Sequence, residues 1–89
     1  MIINLTKKSA SKSQMKAGVI NSNYQSVLSM LLTTEATPPL SEIVKRCNDI
    51  VLLALNSGAN RAMIDKETHF APTLENVLKS AGIETIYAF

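Results

Sequence analysis

The last third of the chain repeats one pattern, in which a helix ends at a glycine and a short apolar segment follows. Gly58 comes after an apolar-striped stretch and precedes Arg61–Ile64, and Gly82 comes after a second such stretch and precedes Ile83–Phe89. Glycine ends a helix readily because it adopts the left-handed conformation without strain. Helix, glycine and strand, twice in succession, are typical of parallel α/β packing. We therefore expect Arg61–Ile64 and Ile83–Phe89 to run side by side in one direction.

The remaining elements follow from where apolar residues recur. Met1–Thr6 is a largely apolar, β-branched segment, which predicts a short buried strand. Val19–Ile20 is expected to form only a brief extended or loop segment. A capping pattern before it and Gly18 after it predict a short helix at Lys12–Ala17. Apolar residues at helical spacing predict helices around Tyr24–Leu31, at Leu40–Asn56 and at Phe70–Ser80. The chain is thus expected to be one α/β domain, residues 1–89: a small sheet of three parallel strands with about four helices.

Three of the predicted helices begin near capping residues. Ser11–Gln14 has the spacing of a capping box, in which the serine accepts from the backbone and the glutamine bonds back. Asn21–Asn23 supplies cap candidates for the second helix. Pro39 suits the first position of the third helix, with Ser41 or Thr37 as its cap.

Positive charge is concentrated near the start of the chain. Lys7, Lys8, Lys12 and Lys16 fall within the first sixteen residues with no acidic residue among them, although the formal net charge is only +2. One interpretation is a basic surface that contacts phosphate groups or an acidic partner protein. The other is a solvated helix face whose lysines maintain solubility. These four lysines are the candidate partner-binding residues.

The sequence offers little for catalysis or metal binding. The single cysteine, Cys47, falls on the apolar stripe of a predicted helix, which favours a buried thiol without a catalytic role. Asp65, Glu67 and His69 alternate as ligands of a metal could, but no second ligand cluster accompanies them. The chain contains no Gly-x-Ser-x-Gly, Gly-x-Gly-x-x-Gly or Walker motif. We expect a protein without enzymatic activity, catalytic residues, cofactor or metal.

Location and assembly are predicted from the apolar segments. No apolar run approaches the ~20 residues that a membrane span needs. Lys7 and Lys8 interrupt the apolar start, so no signal peptide is predicted. We expect a protein of the cytoplasm with no membrane partner. Three strands leave two exposed edges, and Tyr87–Phe89 needs cover, so a homodimer is one expected assembly.

The ends of the first and middle strands carry the polar residues of a candidate ligand site. Open parallel sheets bind ligands at the carboxyl ends of their strands. Thr6 and Lys8 follow the first strand, and Asp65, Thr68 and His69 follow the middle strand. One interpretation is a polar pocket for a nucleotide or another small ligand. The other is a solvated loop in which Thr68 caps the last helix.

Several short segments resemble a group of small phage and prophage proteins. These segments are Asn4-Leu5-Thr6 at the start, Ala62-Met63-Ile64 in the middle strand, Pro72-Thr73-Leu74-Glu75 in the last helix, and Ala81-Gly82-Ile83 with Ile86-Tyr87-Ala88-Phe89 at the end. The resemblance covers most of the chain and is strongest over Gly58–Phe89. It implies a Rossmann-like α/β fold and an origin in a mobile element.

The chain departs from that group at two positions. The group carries a histidine where Lys8 stands and a Gly-Gly-Ala-Pro loop where Asp65–Thr68 stands. A glycine pair after a strand lets backbone amides approach an anion. Asp65 and Glu67 repel one, so an anion bound at this loop in the group is not expected to bind there in the same way here.

Three hypotheses about function follow. The first is a non-enzymatic binding protein of a phage or mobile element that inhibits a host defence complex by protein–protein contact, as anti-CRISPR proteins do inside the host cell. Its anti-defence part follows from the resemblance alone. The second is a Rossmann-like module that binds or sequesters a nucleotide signal. The third is a structural or assembly protein.

Overall fold

A computed structural model describes residues 1–34 and 36–89 of the chain. Over these residues the chain forms four strands and four helices. In chain order they are β1 (Ile2–Asn4), α1 (Lys12–Lys16), β2 (Val19–Asn21), α2 (Gln25–Leu32), α3 (Leu40–Asn56), β3 (Arg61–Ile64), α4 (Ala71–Ser80) and β4 (Glu84–Tyr87). The predicted α/β class is confirmed.

The strands form one parallel sheet in the order β2-β1-β3-β4. The predicted parallel pairing of β3 with β4 is confirmed, with Met63 opposite Ile86. The sheet has four strands where the sequence predicted three, because Val19–Asn21 pairs along β1 with Val19 opposite Ile2. This segment holds only two apolar residues between Gly18 and Asn21, which is too short for periodicity to distinguish a strand from a loop.

The two faces of the sheet are covered unequally. Ile3, Leu5, Ala62 and Ile64 point into the larger core, which buries residues from α2, α3 and α4. On the other face a smaller cluster comprises Ile2, Ala10, Val19 and Met63, with Ile86 packed against it. Helix α1 adjoins β2 but buries none of its own residues. The face of the sheet that carries Ile2 and Met63 is therefore covered by the loop residue Ala10 and not by buried residues of α1.

The helix ends are partly as the sequence predicts. The capping box of Ser11 and Gln14 is present in both directions. Gly58 and Gly82 have φ of +76° and +79°, as expected of glycines that end helices. The predicted caps of α2 and α3 are wrong: Tyr24 and Pro39 occupy those positions, and neither makes a side-chain cap bond. Asn21–Asn23 is instead the end of β2 and a turn, and Ser41 lies inside α3.

Candidate functional site

The candidate site lies where the order of the strands reverses. The chain passes from β1 to β2 on one side and later returns to β3 on the other side of β1. The segments that follow β1 and β3 at their carboxyl ends therefore diverge. A crevice opens at such a point in doubly wound sheets, and ligands of this fold class bind there.

A cleft of about 340 Å³ occupies this position. That volume is within the range of roughly 300–1,000 Å³ that is usual for small-molecule sites. A groove of about 380 Å³ adjoins it, and Lys7 and Asp65 line both. The cleft is lined by Thr6, Lys7, Lys8, Ser9, Ser11, Gln14, Asp65 and Ala88, and the groove by Lys7, Leu32, Thr34, Asp65, Glu67, Thr68, His69 and Phe70.

The structure groups the five predicted ligand residues into two adjoining sets. Thr6, Lys8 and Asp65 share the cleft. Thr68 and His69 lie in the groove, which meets the cleft at Asp65. The predicted residues therefore surround one continuous depression at the carboxyl edge of the sheet.

Thr6 contributes to the site mainly as a structural residue. The residue is only 9 % exposed. Its hydroxyl lies 2.7 Å from Asn4 Oδ1 and 2.9 Å from the Lys8 carbonyl oxygen, so its single proton is shared within the protein. Thr6 therefore helps to fix the loop that carries Lys7 and Lys8.

Asn4 is the centre of a buried amide network that the sequence analysis did not place in the site. It is fully buried, and its Nδ2 donates to the Lys8 carbonyl oxygen at 2.7 Å and to Asn21 Oδ1 at 3.0 Å. Its Oδ1 accepts from the Thr6 backbone amide at 2.9 Å. Asn21 Oδ1 also accepts from the Ala10 amide at 2.8 Å.

This network connects two strands to the loop between β1 and α1. Asn4 ends β1, Asn21 ends β2, and their register pairs them side by side. Because the two amides bond to the backbone at Lys8 and Ala10, the loop between β1 and α1 is held at two points along its course. The sequence signal that could have indicated this network is the asparagine at the end of each of two apolar segments. A buried side-chain amide needs hydrogen-bond partners, so such an asparagine is expected to bond to neighbouring groups.

The segment after β3 is organised by two side-chain turns. Asp65 Oδ1 accepts from the Glu67 amide at 3.0 Å, and Thr68 Oγ1 accepts from the Phe70 amide at 3.2 Å. Thr68 does not cap α4 as one interpretation predicted: Phe70 occupies the cap position without a side-chain cap bond, and the Thr68 bond forms a turn just before it. Asp65, Glu67 and His69 remain exposed.

Two glutamines connect the site to neighbouring elements. Gln14 Oε1 accepts from the Ser11 amide at 2.9 Å, and its Nε2 donates to the Phe89 carbonyl oxygen at 2.6 Å. Gln25 Nε2, at the start of α2, donates to the Thr6 carbonyl oxygen at 2.9 Å. The walls of the cleft come from the loop after β1, from α1, and from the segments that follow β3 and β4.

The four candidate partner-binding lysines do not form one patch. Lys7 and Lys8 line the cleft. Lys12 and Lys16 are exposed on α1, four residues apart and therefore on one side of it. Gln14, which does line the cleft, points to the opposite side of that helix. The basic residues thus divide into a cleft pair and an outer pair.

Neither of the residues with a shifted pKa lies in the cleft. Cys47 is fully buried in α3, as predicted, and burial raises the pKa of its thiol to about 11. A hydrogen bond of 2.6 Å to the Glu75 carboxylate raises the pKa of Tyr87 on the outer edge of the sheet. Across residues 1–34 and 36–89, no three His, Cys, Asp or Glu side chains are grouped as metal ligands would be.

The helices described here are too short or too polar to cross a membrane. Comparison of the chain with protein-family models, curated proteins and solved structures finds no match. The resemblance to small phage proteins therefore stays a prediction.

Proposed function

We propose that this chain is a non-enzymatic binding protein that holds a small phosphate-bearing molecule of the nucleotide class. The observation that supports this most directly is the pair Lys7 and Lys8. They are adjacent on a loop fixed by buried amides, and they line a cleft at the reversal of strand order. Ammonium groups are strong donors to phosphate oxygens.

The chemistry of the depression changes along its length. The cleft carries two lysines and one aspartate, with Ser9 and Ser11 as further hydroxyl donors. The groove carries Lys7 with Asp65 and Glu67. A phosphate is accommodated at the Lys8 side, where positive charge dominates. Carboxylates accept hydrogen bonds from ribose hydroxyls and base amino groups, so the nucleoside is placed toward Asp65 and the groove.

The test is a ligand panel of nucleoside mono- and diphosphates, cyclic nucleotides and inorganic phosphate. A ligand at 100 times its Kd stabilises the folded state by about 2.7 kcal/mol. For a domain of this size that raises the Tm by roughly 10–20 °C. Isothermal titration calorimetry at two salt concentrations then measures the Kd, which we expect to weaken with salt because both lysines are partly exposed to solvent.

Matched variants separate binding in the cleft from general attraction to a basic protein. Lys8→Gln removes a cleft lysine, and we expect it to raise the Kd about tenfold. Lys12→Gln removes an equal charge from the outer pair and is expected to change the Kd less than about twofold. Asp65→Asn is expected to strengthen binding of inorganic phosphate. The absence of a Tm shift with every ligand, or equal effects of the two lysine variants, would overturn the proposal.

Inhibition of a host protein is the second candidate function. It is favoured by the outer surface of α1, where Lys12 and Lys16 are exposed and Met15 is 50 % exposed. Capture from host lysate on the immobilised protein tests it. A saturable, salt-sensitive partner that is lost with Lys12→Glu/Lys16→Glu and retained with Lys8→Gln supports this function. Recovery of nothing saturable argues against it.

A further inference from the structure

Helix α1 forms one wall of the cleft, through Ser11 and Gln14, yet it buries none of its own residues. From Ser11 to Gly18 the chain is exposed at every position except Gln14, which is partly buried. Met15 is the only large apolar residue of α1, and it is 50 % exposed. The position of α1 therefore depends on polar contacts and not on apolar packing.

The hydrogen bonds of α1 are made almost entirely within the helix. Ser11 and Gln14 form the capping box, and the Gly18 amide donates to the Met15 carbonyl oxygen at 3.1 Å. Within residues 1–34 and 36–89, the segment 11–17 makes one hydrogen bond to a distant part of the chain. In that bond Gln14 Nε2 donates to the Phe89 carbonyl oxygen at 2.6 Å. One exposed side-chain bond thus anchors the helix.

The residues on both sides of α1 are held more firmly than the helix itself. Ala10 is 7 % exposed, and its amide donates to Asn21 Oδ1 at 2.8 Å. Val19 is 1 % exposed and pairs with β1 as the first residue of β2. Gly18, with a φ of +98°, connects α1 to that strand. Helix α1 is therefore a weakly held segment between two fixed points.

We propose that α1 is a lid on the cleft, which detaches and unfolds locally when the bond between Gln14 and Phe89 breaks, while the rest of the domain stays folded. A helix of five residues is not stable by itself in water, so α1 needs its anchor to stay helical. Segments with little buried surface open at a much lower free-energy cost than the whole domain. The bond to Phe89 therefore sets how often the lid opens.

Opening changes one side of the cleft only. It removes Ser11 and Gln14 from the lining and leaves Lys7, Lys8 and Asp65 in place. That the opening admits a ligand rests on the function proposed above. A ligand that binds the closed form more tightly than the open form shifts the equilibrium toward closure, so opening becomes rarer as ligand is added. The opening itself does not depend on any ligand.

Hydrogen–deuterium exchange measured by mass spectrometry tests the lid on the chain without ligand. We expect the amides of residues 12–18 to exchange at least about 100-fold faster than those of residues 47–54 in α3, and at least about tenfold slower than in an unfolded chain. Low concentrations of urea should change exchange in α1 little, because local opening exposes little surface. They should accelerate exchange in α3, which requires global unfolding.

The variant Gln14→Glu isolates the bond to Phe89. Glutamate serves in a capping box as glutamine does, so the start of the helix is kept. A carboxylate cannot donate to the Phe89 carbonyl oxygen, so we expect exchange in α1 to become about fivefold faster. Measurement at about 1 M salt screens the new charge. Ser13→Glu is the matched control, because it adds the same charge to an exposed position of α1 and keeps the bond. We expect no acceleration in Ser13→Glu, and thermal unfolding checks that both variants fold.

Adenosine diphosphate is the probe for the effect of a ligand on the lid. At 100 times its Kd, it should slow exchange in α1 by about 10- to 100-fold. The absence of a Tm shift with this and every other nucleotide of the panel counts against the proposed function alone, since exchange in the free chain still decides the lid. Exchange in α1 as slow as in α3 or as fast as in an unfolded chain, equal rates in the two variants, or no slowing by bound adenosine diphosphate would overturn the inference.

Discussion

The buried amide network makes Asn4 the most informative residue to replace. Asn4→Ala removes two donated and two accepted hydrogen-bond contacts at a position with no exposure. Two of the groups that lose Asn4 retain another donor: the Lys8 carbonyl oxygen has the Thr6 hydroxyl, and Asn21 Oδ1 has the Ala10 amide. The Thr6 backbone amide loses the partner that Asn4 supplied.

The expected cost follows from these contacts. A buried donor left without a partner costs about 1–3 kcal/mol, and each ordinary hydrogen bond lost costs about 1 kcal/mol. We therefore expect Asn4→Ala to lower the free energy of unfolding by about 3 kcal/mol. That is a large part of the roughly 5–13 kcal/mol expected for a chain of this length. The Tm should fall by roughly 12–24 °C.

Urea unfolding followed by circular dichroism measures the change. Asn23→Ala, which removes the same side chain from an exposed turn, is the matched control and should shift the free energy of unfolding by less than about 0.5 kcal/mol. Affinity for the best ligand of the panel should also fall in Asn4→Ala at temperatures where the variant is folded. A cost no larger than that of Asn23→Ala would show that the network does not hold the loop.

Two further predictions concern the core and a turn. Because burial raises the pKa of Cys47 to about 11 from an ordinary 9.0, the unfolded state loses this proton first as the pH rises. Stability from this thiol is therefore complete below about pH 9 and is lost between about pH 9 and 11, by up to about 2–3 kcal/mol. Comparing the pH dependence of urea midpoints in wild type and Cys47→Ala isolates this effect, and equal dependence in both would contradict it. Gly58→Ala meets open space but has a φ of +76°, so it should cost about 1 kcal/mol, and Gly58→Asn should cost less. Thermal unfolding measures both, and an alanine as stable as glycine would refute the argument from strain.

The architecture was predictable where local signals and tertiary packing agree. Leu40–Asn56 is a helix over the predicted range because apolar periodicity marks its course and Gly58 follows its end. Arg61–Ile64 is bounded as predicted because the same glycine precedes it and the polar segment from Asp65 follows it. Val19–Asn21 was not predicted as a strand. It is a strand because its backbone pairs with β1, a separate segment of the chain. The local apolar pattern of Val19–Asn21 is too short to predict that pairing.

The candidate site was predictable in position but not in its internal bonding. The rule that ligands bind at the carboxyl ends of strands brought Thr6, Lys8 and Asp65 together correctly, since it depends only on topology. The role of Asn21 was assigned wrongly to a helix cap. An asparagine between a strand and a helix suits both roles, and only the register of β2 against β1 directs its amide toward Asn4.

The network also explains how two like charges can be held together, since within residues 1–34 and 36–89 neither lysine forms an ion pair. Lys7 and Lys8 are adjacent in sequence and both line the cleft, so their repulsion favours an open loop. The bonds from Asn4 Nδ2 to the Lys8 carbonyl oxygen and from the Ala10 amide to Asn21 Oδ1 oppose that opening with neutral groups. Because neutral amides hold the loop, they leave the lysine charges available to a ligand. On the function proposed above, an anion would meet donors held by a loop that is already ordered, so binding would cost less loop conformational entropy than with a mobile loop.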